Sequence, residues 1–391
     1  MSNTLTGLIG PLYEALDIVS RELVGFTKIA TLDSTAETAA VGQEVRSPVV
    51  QTVGLQDITP GQTAPNAGDH VISNIPVVIT NSKSYPIRWN GEEQKGLNGP
   101  SGAGTSTIMR DQFVQAFRTL GNAVDADLAN AAVRGASRAT GTPGTTPFGT
   151  AGDLSDFALA RLILEDNGAP TTNLAMVLNS AAAANVRGKQ SVLFKANEAG
   201  TDELLRQGII GRVEGFDVGQ SAQLKPITKG TGAGWLVNST GLVIGSVSIP
   251  VDTGTGTILA GDAITFAGDP NVYMVTGALS GGVVTIGGPG LLTAIADNTA
   301  ITVGNSYRPS VAFARSALVL AARQPAMPVG LDGKAIDAID AADDVMTVTD
   351  PVSGLNFQLV QYRPYRQIYW EIALAWGVKA VKPDHIAVLR S

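Results

Sequence analysis

One long helical stripe runs through the first third of this chain of 391 residues. Within residues 105 to 138, Met109, Phe113, Ala116, Phe117, Leu120, Val124, Leu128 and Ala131 recur at spacings of three and four, which places them on one face of a helix. At 1.5 Å per residue a helix of about 30 residues is on the order of 45 Å long, more than a compact domain needs. Such an element acts as a spine against which other parts pack. Gly121 inside it costs roughly 1 kcal/mol relative to alanine, which packing of the apolar face offsets.

The text before the stripe is extended. Pro11, Leu12, Leu16, Val19 and Leu23 predict a short amphipathic helix ending at Gly25. Residues 27 to 42 read as an arm that packs against something other than itself. Residues 43 to 53 and 71 to 90 have the β-branched and aromatic content of strands, separated by a run dense in Gly, Pro, Asn and Asp. They predict a long hairpin. Pro48, Pro76 and Pro86 remove ladder donors, so these strands belong at sheet edges and the hairpin should project.

After the stripe, DLSDFALARLILEDNG reads as a helix ending at Gly168, NLAMVLN as a strand, and DELLRQGIIG as helix leading to the strand RVEGFDVGQSAQL. That is an α/β lobe. Composition then breaks: from Gly230 to Tyr307 there are four charged residues, Asp252, Asp262, Asp269 and Asp297, and no Lys or Arg. Short apolar runs recur near every ten residues with glycine turns, the spacing of a small all-β unit. Charged text resumes at Arg308, so this unit reads as an insertion. The chain closes in β-rich text with Trp370 and Trp376.

Catalytic chemistry has little to build on. The chain has no cysteine and two histidines, His70 and His385, so thiolate nucleophiles and His/Cys metal centres lack parts. GLNGPSGAGTST before the stripe lacks the Lys of a phosphate-binding loop, and Asp337, Asp340, Asp343 and Asp344 do not match a calcium loop. No catalytic residue, cofactor or metal is expected. A net charge of −7 argues against a protein that grips nucleic acid. No apolar run reaches the roughly 18 residues of a membrane helix, and no basic secretory leader precedes Arg21; a soluble chain in the cytosol is the expectation.

The order of parts resembles the Hong Kong 97-type fold of tailed-phage major capsid proteins. LLRQGIIGRVEGFDVGQSAQL is similar to that family's helix, Gly-Ile-hydrophobic-Gly, Gly-Phe strand and serine. PSVAFARSALVLAARQPAMP is similar to its Leu-Ala-Phe-X-Arg-X-Ala strand. Trp376-Gly377 and Lys382-Pro383-Asp384 occupy the places of its closing Trp-Gly or Tyr-Gly and basic-Pro-Glu pattern, with Asp384 for Glu. ILAGDAITFAG, residues 258 to 268, resembles a strand in the inserted domain of one podophage coat group, with Ala260 where the basic residue would stand.

The resemblance implies an α+β fold divided as follows: N-terminal helix and arm, 1–42; extended hairpin, the E-loop, 43–95; spine helix and linker of a peripheral domain, 96–152; axial domain, 153–227 and 307–345; inserted all-β domain, 228–306; and a closing peripheral segment, 346–391. It implies a non-enzymatic subunit assembling with itself into hexamers and pentamers of a virion shell in the host cytoplasm. Scaffolding and portal proteins would be partners, and DNA would be enclosed without sequence-specific binding. Asp57, Asp69, His70, Arg88 and Trp89 are candidate contacts between subunits. An encapsulin-like compartment or a Gly-rich β surface or adhesion protein are the alternatives.

Overall fold

The computed structural model describes residues 25–50, 72–97, 105–190, 210–239, 241–327, 341–350, 353–362 and 364–391. The helix expected before Gly25, the candidate contacts Asp57, Asp69 and His70, and the acidic positions Asp337 and Asp340 lie outside these residues.

The stripe is a helix of 30 residues, Thr105–Arg134. Phe113, Ala116, Phe117, Leu120, Val124 and Leu128 are all buried, as their spacing requires. The helix ends earlier than its pattern suggested, because Arg138–Thr140 is a strand pairing in parallel with Ile386–Arg390. A ladder partner nearly 250 positions away in sequence outweighs local helical periodicity there.

The apolar face of this spine lies on a six-stranded sheet whose order is Thr31–Ala39, Leu318–Pro325, Gln367–Ala380, Asn356–Tyr362, Ala341–Thr349, with Asn81–Asn90 also paired to Gln367–Ala380. Alternate residues of the longest strand, Trp370, Ile372, Leu374 and Trp376, join the spine in one cluster with Ile87, Trp89, Phe357 and Leu359. Edge-on ring pairs mark the contact: Phe113 with Trp370 at 6.3 Å and Phe117 with Phe357 at 5.1 Å. Each fully buried side chain of this size contributes roughly 1.5–3 kcal/mol.

The arm departs from expectation. Thr31–Ala39 pairs in parallel with Leu318–Pro325 of its own chain, in register Thr31 to Val319. The buried Arg323 guanidinium secures it, donating to the Asp33 backbone oxygen at 2.7 Å and to Asp33 Oδ1 at 3.1 Å.

A second sheet forms the other half of the body, with Phe216–Gln220, Leu174–Leu178, Pro309–Ala314, Ile386–Arg390 and Arg138–Thr140 side by side. Helices Ser155–Asp166 and Ser180–Lys189 bury Phe157, Ala160, Leu164, Ala182 and Val186 beside it. Asn179 caps the second of these, its side chain accepting from Ala182 N at 2.9 Å.

The charge-poor unit leaves and re-enters this body at one point. Ile227 and Tyr307 exchange backbone hydrogen bonds of 2.8 and 3.1 Å. Between them, Ser248–Asp252, Ala263–Phe266, Tyr273–Ser280, Val283–Ile286 and Ile301–Val303 enclose a core of their own, including Val251, Ile264, Phe266, Tyr273, Val284 and Ile301.

Candidate assembly elements

Glu44–Val50 and Ile72–Val78 pair in antiparallel register as a two-stranded sheet of their own. The stretch read as one strand from 71 to 90 is therefore two, broken at Ile79 and Thr80. Ile79 N donates to Gln43 O at 2.9 Å, Gly42 N donates to Ile79 O at 2.9 Å, and Thr80 N donates to Trp376 O at 3.1 Å. These bonds turn the chain out of the hairpin and into the body sheet. Val77 and Ile79 are fully buried beside Ala321 and Ala375, which anchors the root.

Gly377 explains half of the Trp-Gly pair in the closing segment. A Cβ there would strike the Val78 carbonyl oxygen and lie 3.0 Å from Ile79 Cα. The root of the hairpin crosses the closing strand at the one residue without a side chain. Trp376 supplies the other half: it is fully buried and its Nε1 donates to Asp127 Oδ2 on the spine at 2.8 Å. Asn81 Nδ2 donates to the same oxygen at 2.8 Å. Lys83 Nζ lies 5.5 Å from the centroid of the Trp376 ring, within cation–π range. Hairpin root, spine and closing strand thus meet at one carboxylate.

A second carboxylate joins the arm. Asp125 is buried; its Oδ1 accepts from Phe26 N at 2.7 Å and its Oδ2 from the Ser221 hydroxyl. A Cβ on Gly25 would lie 2.5 Å from Asp125 Oδ1. Burial pushes the Asp125 pKa up, while the Ser221 hydroxyl and the Phe26 and Thr27 amides act against that shift. Ser221 is the serine after the Gly-Phe strand.

Arg88 and Trp89, adjacent in Asn81–Asn90, face opposite ways, as strand alternation demands. Arg88 is exposed, opposite Tyr369 in the ladder. Trp89 is 7% exposed and its Nε1 donates to Gln112 Oε1 of the spine at 2.8 Å. Within this chain the Trp89 indole is therefore packed between its strand and the spine. The alternation of Ile87 and Trp89 was the signal that could have shown this.

The insertion is bound firmly to the body. Ala139 N donates to Val272 O at 2.9 Å and Met274 N to Ser137 O at 3.1 Å. The buried Arg138 guanidinium reaches Asn271 Oδ1 at 3.4 Å, Asn167 Oδ1 at 3.1 Å and Asp166 Oδ2 at 3.4 Å. A Cβ on Gly288 would strike Asp384 Oδ1, so the aspartate of the Lys-Pro-Asp turn lies against the insertion's backbone. Within the insertion, the buried Asp262 of the Gly-Asp turn accepts from Gly230 N and, at 2.8 Å, from Leu259 N. That carboxylate ties the unit's entrance to its interior.

Among the described residues there is no group of three side chains suited to holding a metal ion, and no helix is long and apolar enough to cross a membrane. His385 stands alone in a short 3₁₀ turn, Pro383–His385, its pKa lowered chiefly by burial.

No family model matches the chain, and no curated protein matches it. Among solved structures it is similar to one from Mycobacterium phage Che8, at 15% identity and a TM-score of 0.45, over 89% of this chain and 84% of that one. It is similar to the asymmetric unit of the bacteriophage PhiM1 mature capsid, at 12% identity and a TM-score of 0.42, over 93% and 86%. It is also similar to a virus-like particle from Pyrococcus furiosus, at 10% identity and a TM-score of 0.43, over 98% and 99%. At such identities the chain's own geometry must carry the functional conclusion.

Proposed function

We propose that this chain is the major capsid protein of a tailed phage, a structural subunit that polymerises into a closed icosahedral shell around double-stranded DNA. The observation that carries the reading is the hairpin Glu44–Val50 with Ile72–Val78, a two-stranded sheet separate from the body sheets whose described root packs on the body through Val77 and Ile79. A lone two-stranded hairpin is marginal in water, so another surface must complete its packing. A second copy of the chain, presented many times over in a symmetric shell, supplies that surface.

The remaining parts fit the same plan. The spine and the six-stranded sheet form a peripheral domain, the second sheet with its two helices an axial domain, and residues 228–306 a module that stabilises the fold. Arg88, exposed on the strand that follows the hairpin, is the contact residue we retain from the described set. A net charge of −7 suits a container that encloses DNA without adhering to it. Scaffolding and portal proteins are the expected partners, with assembly in the host cytoplasm and a final place in the virion.

Replacing residues 44–78 by a short Gly-Ser link tests the role of the hairpin. The shortened chain should remain folded by circular dichroism yet sediment without shells. Shell formation equal to that of the intact chain would overturn the reading.

A further inference from the structure

A cleft of about 460 Å³ lies where the last turns of the spine meet the insertion. Val133 and Arg134 of the helix, Leu224, Lys225 and Ile227 of the crossover, and Leu259 of the insertion line it. Arg134 and Lys225 are exposed, and no carboxylate is among the described residues lining the cleft. In a chain of net charge −7, a cleft that carries cations alone is a local reversal of sign.

Its floor is apolar. Leu259 is 43% exposed and sits three residues before Asp262, whose carboxylate holds the Leu259 amide at 2.8 Å. The turn presenting this leucine to water is therefore fixed. Arg134 ends the spine, where a cation complements the helix dipole; Lys225 lies outside any helix, so the dipole gives no reason for it.

We propose that this cleft binds an acidic peptide segment of another protein, with an apolar side chain against Leu259 and Ile227 and carboxylates against Arg134 and Lys225. Two cations beside an apolar floor match a short peptide of alternating character, whereas a nucleic acid draws on longer cationic tracks. Exposed ion pairs are screened by salt, so binding should weaken as ionic strength rises. The inference stands independently of shell formation.

The test is fluorescence anisotropy on the full-length unassembled chain, with a labelled peptide of Glu-Glu-Leu repeated four times and the same peptide with Gln for Glu. Saturable binding of the acidic peptide alone is expected. The R134Q/K225Q pair should weaken it by about tenfold or more, and L259S should weaken it while thermal melting stays unchanged. Absence of binding, or equal binding by wild type and by variants that melt normally, would overturn the proposal. Binding to the unassembled chain that vanishes in assembled shells would also overturn it, by assigning the cleft to a neighbouring copy.

Discussion

The Nε1 of Trp376 donates to Oδ2 of Asp127 at 2.8 Å, across 249 positions of sequence. The same oxygen receives the amide of Asn81, the first residue of the strand that follows the hairpin. One carboxylate on the spine therefore sets both the closing strand and the exit of the hairpin.

Substituting Asp127→Ala should leave a buried indole N–H without its acceptor, at a cost of about 1–3 kcal/mol. Asp127→Asn keeps an acceptor oxygen and should cost less. Urea unfolding of the two variants checks this order; equal stability of D127A and wild type would show that the junction is not a structural contact.

Asp125 carries a pH prediction whose sign is fixed by its surroundings. Its carboxyl is raised above the ordinary value, first by burial, so the folded state holds its proton more tightly than the unfolded chain. Stability from this group is fully present below the unfolded value and is lost as pH rises through the folded one. Wild type should accordingly gain stability relative to Asp125→Asn as pH falls from about 7 to about 4. A relative loss over that range, measured by denaturant titration, would contradict the burial argument.

Removing residues 228–306 and joining Ile227 to Tyr307 by a short glycine link should preserve the bridge between those two residues but strip the body. Met274 and Ala263 leave the main core, and Ala139 N and Ser137 O lose their partners. The buried Met274 alone represents roughly 1.5–3 kcal/mol. The truncated chain should be poorly soluble or unfold at lower urea; wild-type stability would show that the insertion is dispensable to the fold.

The spine was legible because a period of three and four over eight apolar residues admits little else. The charge-poor stretch was legible because seventy-odd residues lack Lys and Arg, and its strands share a hydrophobic core of their own. Trp376-Gly377 could be singled out as a pattern, but its reason could not: the indole's acceptor and the Val78 carbonyl that excludes a side chain at 377 come from other parts of the chain. The pairing of Thr31–Ala39 with Leu318–Pro325 was hidden for the same cause, since nothing local to the arm names a strand almost 290 residues away. That Trp89 packs inward beside Ile87 follows from strand alternation, but its acceptor on the spine, Gln112, could not be read from the strand itself.

Expression with a scaffold partner, followed by sedimentation velocity and electron microscopy, shows whether the chain builds a shell. Closed shells, or rings of hexamer or pentamer size, are expected. A stable monomer under every condition of concentration and salt would contradict that expectation.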